Sequence, residues 1–221
     1  MNDEVYLKLN GVSKRIRKHV VLNDINLELY KGKIYGFKGR NGSGKTMLFR
    51  LICGLLKPTQ GIIEINKKVL NDKISFPESV GAIIEYPGFL PDYTGYNNIK
   101  ILAEIKNKIS EDDIKNILLM VGLDPNDKRK FKNYSLGMKQ RLGIAQALME
   151  NPDLIILDEP TNALDLEGIE LVKKLLLKMK EDNKLVLIAS HEKEFLESFS
   201  DEIFTIEKGE IIERKVLKEI N

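Results

Sequence analysis

Residues 39–46, Gly39-Arg40-Asn41-Gly42-Ser43-Gly44-Lys45-Thr46, satisfy the pattern G-x-x-x-x-G-K-[ST] in full. No other stretch restricts the fold so tightly. A polyphosphate needs a ring of backbone N–H donors at close range, and glycines let the chain curl without side chains in the way. Such a loop needs a strand to deliver the chain and a helix whose N-terminus is aimed at the anion. Both are legible. Ile34 to Phe37 is a short apolar strand, and a helix runs from Thr46 to about Cys53. In this loop Lys45 would neutralise β- and γ-phosphates, and Thr46 would place a hydroxyl on Mg²⁺.

A second segment belongs to the same chemistry. Leu154-Ile155-Ile156-Leu157-Asp158-Glu159-Pro160 is an apolar strand ending in two carboxylates. In enzymes with such a phosphate loop, an Asp at a buried strand end holds Mg²⁺. Glu159, beside it, could orient and deprotonate an attacking water.

The rest of the chain arranges itself around these two points. Val5 to Leu9, the alternating Val20 to Tyr30, Gly61 to Ile65 and Val80 to Ile84 read as strands. From Pro91 the period lengthens, and Asn97 to Ile105 is helical. Ser110-Glu111-Asp112-Asp113 opens a further helix as a capping box with Asp in the usual Glu or Gln place. Ile114, Ile117, Leu118 and Val121 form its apolar stripe, which stops at Gly122. Leu136 to Glu150 is a third helix. Beyond Asn151-Pro152, the ungapped strands Leu154 to Leu157 and Leu185 to Ala189 alternate with helices over 167–180 and 192–198. The end reads as a hairpin, Ile203 to Ile206 and Ile211 to Glu213. Ungapped apolar strands between helices mean a parallel sheet covered on both faces. The expected fold is α/β: a core with a mainly parallel sheet, an N-terminal antiparallel β subdomain and an inserted α-helical subdomain. The core would take residues 1–87 and 146–221, and the helical part 88–145.

Charge and composition narrow the function classes. The 35 Lys+Arg and 33 Asp+Glu leave a net +2, so the chain is no general polyanion binder and no nucleic-acid partner is expected. A single cysteine, Cys53, excludes an intrachain disulfide, and its apolar neighbours mark it as a buried small hydrophobe. No apolar run approaches the roughly 20 residues that cross a bilayer. The acidic start Met1-Asn2-Asp3-Glu4 is unlike a signal peptide. Work at a membrane would need another protein to do the spanning. The basic runs Lys14-Arg15-Ile16-Arg17-Lys18 and Lys128-Arg129-Lys130-Phe131-Lys132 read as solvated loop charge; the first could instead brace phosphates near the nucleotide, and the second could face lipid headgroups or a partner. Leu171, Val172, Leu175, Leu176 and Met179 read as a core stripe.

Tyr134-Ser135-Leu136-Gly137-Met138-Lys139-Gln140-Arg141-Leu142 resembles the signature of ABC ATPases, L-S-G-G-Q in its commonest form, followed by a Gln-Arg helix. With the phosphate loop and the acidic strand, it makes the chain similar over essentially its full length to the nucleotide-binding subunits of ABC transporters. The resemblance implies ATP as the nucleotide, with Mg²⁺, and hydrolysis coupled to transport. It implies a head-to-tail dimer with a second copy or a homologous ATPase, in which Ser135 and Gly137 reach the partner's ATP. A helix start suits a γ-phosphate. Asn162-Ala163-Leu164-Asp165 resembles the loop at the dimer seam. His191 stands where the family places a histidine at the γ-phosphate. Gly81-Ala82-Ile83-Ile84-Glu85-Tyr86-Pro87 stands at the family's Q-loop, the joint to the helical subdomain. The implied partner is an integral membrane permease, and the implied location is cytoplasmic, peripheral on the inner face of the cell membrane.

Four positions depart from the family pattern. Glu85 replaces the usual Gln, which keeps a ligand for Mg²⁺ but adds negative charge near the γ-phosphate. Leu136 and Met138 replace a Gly and a Gln of the signature. Ile16 stands near the place of the aromatic that stacks on adenine. Glu85 and the segment S-L-G-M-K-Q-R-L-G are most similar to the ATPases of bacterial exporters linked to peptide antibiotics, bacitracin and lantibiotics among them. The alternative is a soluble ABC ATPase without a permease. Ribosome-acting relatives usually carry two cassettes and DNA-repair relatives a long coiled coil, and this sequence has neither. A GTPase would show N-K-x-D, which does not occur.

Overall fold

The computed structural model describes residues 4–71, 73, 75–85 and 88–217. In chain order the first elements are β1 (Val5–Ile16), β2 (His19–Tyr30), β3 (Lys33–Lys38), α1 (Lys45–Ile52), β4 (Gln60–Ile65), β5 (Lys68–Val69) and β6 (Val80–Ile83). Then come α2 (Gly95–Lys106), α3 (Glu111–Met120), α4 (Leu136–Leu148), β7 (Leu154–Asp158) and α5 (Leu166–Glu181). The last are β8 (Leu185–Ser190), α6 (Lys193–Glu197), β9 (Glu202–Glu207) and β10 (Glu210–Val216).

The strands form two sheets. An antiparallel one has the order β2-β1-β4-β5, and a mainly parallel one the order β10-β9-β3-β8-β7-β6, with only β10 antiparallel to its neighbour. The ungapped strands of the second sheet are explained by two cores, one on each face. Leu154 and Ile156 of β7 face one core, and Ile155 and Leu157 face the other. In β8, Leu185, Leu187 and Ala189 face the first, Val186 and Ile188 the second. Successive side chains of a strand point to opposite faces, so a strand buried twice must be apolar throughout. The first core is closed by the antiparallel sheet and the apolar face of α1. The second is closed by α2 to α6.

Several elements differ in extent from the sequence reading. Strand β1 continues well past Leu9, because its pairing with β2 shifts between Leu9 and Val12. Such a bulge breaks the two-residue alternation by which a strand is read from sequence. The two-residue β5 carries no periodic signal at all. Helix α4 stops at Leu148, two residues short of Glu150. The capping box of α3 is as expected: Ser110 Oγ accepts from Asp113 N at 3.2 Å, and Asp113 Oδ2 accepts from Ser110 N at 2.9 Å. Cys53 is buried, and burial pushes its thiol up to about 12. The second basic run is largely paired, Arg129 with Asp127 at 2.7 Å and Lys132 with Asp92 at 2.6 Å. Among the described residues no helix is long and apolar enough to cross a membrane.

Helix α4 packs on the edge strand β6 as well as on α2 and α3. Residues 145 and 146 lie inside it, and its apolar face joins α2 and α3 to the same core as β7 and β8. The contact with β6 is made possible by Gly81. A Cβ there would fall 1.7 Å from the carbonyl oxygen of Ala147 and 2.8 Å from Pro152 Cγ. Gly81→Ala must therefore push α4 off the sheet. We expect a loss of about 1–3 kcal/mol, read as a fall in melting temperature of several degrees. An unchanged melting temperature would show that the helix can withdraw without cost.

Candidate functional site

Parallel pairing sends the C-terminal ends of β3, β8, β7 and β6 to one edge of the sheet, where ligands of open α/β sheets bind. Lys38, at the end of β3, pairs with Ser190 of β8, and Asp158, at the end of β7, pairs with Ala189. The chain leaving each strand end carries a site residue: Gly39 to Thr46 after β3, Glu159 after β7, His191 after β8, Glu85 after β6.

The loop turns into α1 at Gly44, whose φ is +117°, a conformation that side chains rarely tolerate; a Cβ there would lie 2.8 Å from Leu22. Lys45 is only 6% exposed. Its Nζ donates to the carbonyl of Gly39 at 2.7 Å and stands 3.8 Å from Glu159 Oε1. Thr46 Oγ1 donates to Asp158 Oδ2 at 2.6 Å, tying the loop to β7. The other oxygen of Asp158, together with Glu159 Oε1 and Ser43 Oγ, is buried without a hydrogen-bond partner. Buried polar atoms are ordinarily paired, so unpaired oxygens on the two neighbouring carboxylates, Asp158 and Glu159, mark a place for a polar ligand.

That space is a cavity of 460 Å³, lined by Asn41 to Met47 together with Arg50, Glu85, Gln140, Asp158, Glu159, Asn162 and Val21. The structure thus brings Asn41, Gly42, Ser43, Gly44, Lys45, Thr46, Glu85, Asp158 and Glu159 to one place. Gly39 and Arg40 are behind the lining, where their carbonyls face Lys45 Nζ. His191 stands at the rim, more than half exposed, with Nδ1 2.9 Å from Glu159 Oε2. Glu85 Oε1 pairs with Arg50 of α1 at 2.7 Å. Tyr86 and Pro87 of the same joint lie outside the described residues. Ser135 caps α4, accepting from Met138 N at 3.2 Å, and Gly137 lies beside Ala163; neither lines the cavity. Ile16 is exposed and outside the lining, which takes Val21 instead. Arg50, Gln140, Asn162 and Val21 were not legible as lining residues. Arg50 and Val21 carry no motif, and the Gln-Arg pair after the signature points to a helix, not to where that helix lies.

Such a cavity between a phosphate loop and an acidic strand end defines a P-loop nucleotide-binding site. The family model for ABC transporters matches residues 22–162. An uncharacterised ABC transporter ATP-binding protein of Bacillus subtilis (strain 168) is 44% identical over 93% of this chain and 94% of its own length. A bacitracin transport ATP-binding protein of Enterococcus faecalis is 38% identical over 99% of this chain and 71% of its own length. A solved ATP-binding cassette, dimeric and in a post-hydrolysis state with ADP and Pi, superposes with a TM-score of 0.87 at 26% identity, covering 97% of this chain and 100% of that one. The chain belongs to the ABC transporter family, as an ATP-binding and ATP-hydrolysing cassette.

The site stores unfavourable charge. Burial holds the Asp158 carboxyl above the ordinary carboxylate range; the charges of Glu159 and Glu85 act in the same direction, while the Thr46 hydroxyl and Lys45 oppose them. A carboxyl with a raised folded pKa gives its full stability below its unfolded pKa, about 3.9. That stability is lost as pH rises through the raised folded value. Asp158→Asn should therefore raise the melting temperature of the nucleotide-free protein at neutral pH, with the gain shrinking towards mildly acidic pH. Melting curves of both proteins in a chelator across that range check the sign. A gain that grows on acidification would contradict it.

Proposed function

We propose that this chain is the ATP-hydrolysing subunit of an exporter, powering a separate integral membrane permease for peptide antibiotics or similar hydrophobic compounds. The observation that carries the catalytic part is the convergence of Lys45, Thr46, Asp158 and Glu159 on one cavity. The bacitracin transport relative supports the exporter reading.

In this reading the N–H groups of Gly39 to Thr46 wrap the β- and γ-phosphates. Lys45 gives up the Gly39 carbonyl for the phosphate oxygens. The residues suit Mg²⁺. Thr46 Oγ1 and Asp158 would hold it, and the unpaired Asp158 Oδ1 supplies acceptor capacity. Among the described residues no group of three or more His, Cys, Asp or Glu could hold a metal; Mg²⁺ needs only one or two carboxylates when phosphate oxygens and water complete its shell. When bound, the ion neutralises charge that builds on the phosphates. Glu159 takes the proton of the attacking water as its oxygen joins the γ-phosphorus and the bond to ADP breaks. His191 holds Glu159 Oε2, leaving Oε1 for the water, and reaches the γ-phosphate. Glu85 is a further ligand at the hinge, its charge offset by Arg50.

The same reading assigns Ser135 and Gly137 to the ATP of a second copy or a homologous ATPase, arranged head to tail. This accounts for their place outside the chain's own cavity. Residues 88–145 would act as the helical subdomain that pushes the permease, with α4, which runs unbroken across the boundary to Leu148, as the stiff link to a core of 1–87 and 146–221. The protein would sit on the cytoplasmic face of the membrane.

Glu159→Gln should retain ATP binding and lose hydrolysis by about 10² or more, so that a closed ATP-bound dimer accumulates. Turnover of the purified variant together with size-exclusion chromatography in ATP checks both. Near-normal turnover would remove Glu159 from the role of base. For the transport part, the tagged chain recovered from detergent-solubilised membranes should carry a multi-span protein in stoichiometric amount. Recovery alone, in the soluble fraction, would favour a non-transport ABC ATPase.

A further inference from the structure

Glu159 has φ +49°, in the left-handed region that a non-glycine residue adopts at a cost. A conformation of that kind persists only where its surroundings over-determine it. Part of the constraint comes from the sheet and part is local: Glu159 N donates to Ala189 O of β8 at 2.9 Å, and Asn162 N donates to Glu159 O at 3.3 Å. The next residue, Pro160, has no N–H to donate, and among the described residues no turn or loop N–H donates to its carbonyl.

Gln140 supplies that donor. Its side-chain amide donates to the Pro160 carbonyl at 3.0 Å and reaches the Glu159 carbonyl at 3.4 Å. Gln140 stands on α4, a helix anchored independently on β6 and β7. The neighbouring Arg141 reaches Asp165, the N-cap of α5, at 3.4 Å. Consecutive residues of α4 thus bracket the loop from Glu159 to Asp165. The chemistry of the donor fits the purpose. A lysine or arginine here would seek the Glu159 carboxylate and tie it up, whereas a neutral amide holds the backbone and leaves the side chain free.

We infer that Gln140 is a positioning residue for ATP hydrolysis: it holds the Glu159–Pro160 turn so that the carboxylate faces the attacking water. This rests on the reading of Glu159 as the base. Gln140 lines the cavity, but its amide nitrogen is engaged by the Glu159 and Pro160 carbonyls, so its loss should fall on kcat rather than on binding.

The test uses Gln140→Met, which keeps length without the donor, and Gln140→Glu, which keeps shape but presents an acceptor when ionised. Both should lower kcat for Mg-ATP about tenfold or more, the scale of a small misplacement of a reacting group. KM and the ATP-induced rise in melting temperature should stay at wild-type values. Combined with Glu159→Gln, and measured in single turnover, Gln140→Met should add little, because two residues acting through one group are not additive. Full kcat in both Gln140 variants would overturn the inference. So would a matching rise in KM with loss of the thermal shift, additivity with Glu159→Gln, or failure of both variants to fold, each of which marks a general structural role. If Glu159→Gln itself turns over normally, the reading of Glu159 as base falls and the inference falls with it. A slow Glu159→Gln beside a fast Gln140→Met overturns the inference alone.

Discussion

β8 lies between β3 and β7 and is hydrogen-bonded in parallel to both, in a register that pairs Lys38 with Ser190 and Asp158 with Ala189. The phosphate loop and the acidic pair are more than a hundred residues apart in the chain, and they meet because each follows directly from one of these strands. The hydrogen bond from Thr46 to Asp158 closes the gap across the sheet edge. Parallel pairing needs crossovers, and the crossovers are the helices that build the second core. Site and core thus follow from one arrangement of strands.

Electrostatics give the site its tension. One buried ammonium, Lys45, faces two carboxylates at a sheet end already short of solvent. Asp158 and Glu159 each keep an oxygen without a hydrogen bond, and Glu85 brings a third carboxylate to the lining, held by Arg50. A protein selected for stability alone would remove one of these acids or pair it. Groups left short of partners are instead suited to a ligand that brings phosphate oxygens and a cation, whose binding energy then replaces what the fold lacks.

Helix α4 connects this chemistry to the helical side of the molecule. Its first residues carry the signature, its middle holds the Glu159 turn, and its last turn rests on Gly81. A helix is stiff along its axis, so a displacement at Ser135 cannot be absorbed before Gln140. Its packing against α2 and α3 joins the same body to the surface that those helices present.

The amino-acid sequence alone determined the phosphate loop, the Asp158-Glu159 strand end and the doubly buried strands, because each is written locally. Gly-x-x-x-x-Gly-Lys-Thr is a backbone requirement, and a strand covered on two faces has no polar position. The capping box at Ser110 is legible for the same reason, its partners being three residues apart. Other features exist only after folding. The extent of β1 depends on a bulge that scrambles its alternation. The pairing of Glu85 with Arg50 joins residues from two elements that no spacing relates. That Gln140 reaches Pro160, while Ser135 on the same helix stays outside the cavity, depends on how α4 crosses β6. That crossing is set by the room left where Gly81 has no side chain, and only tertiary packing determines it.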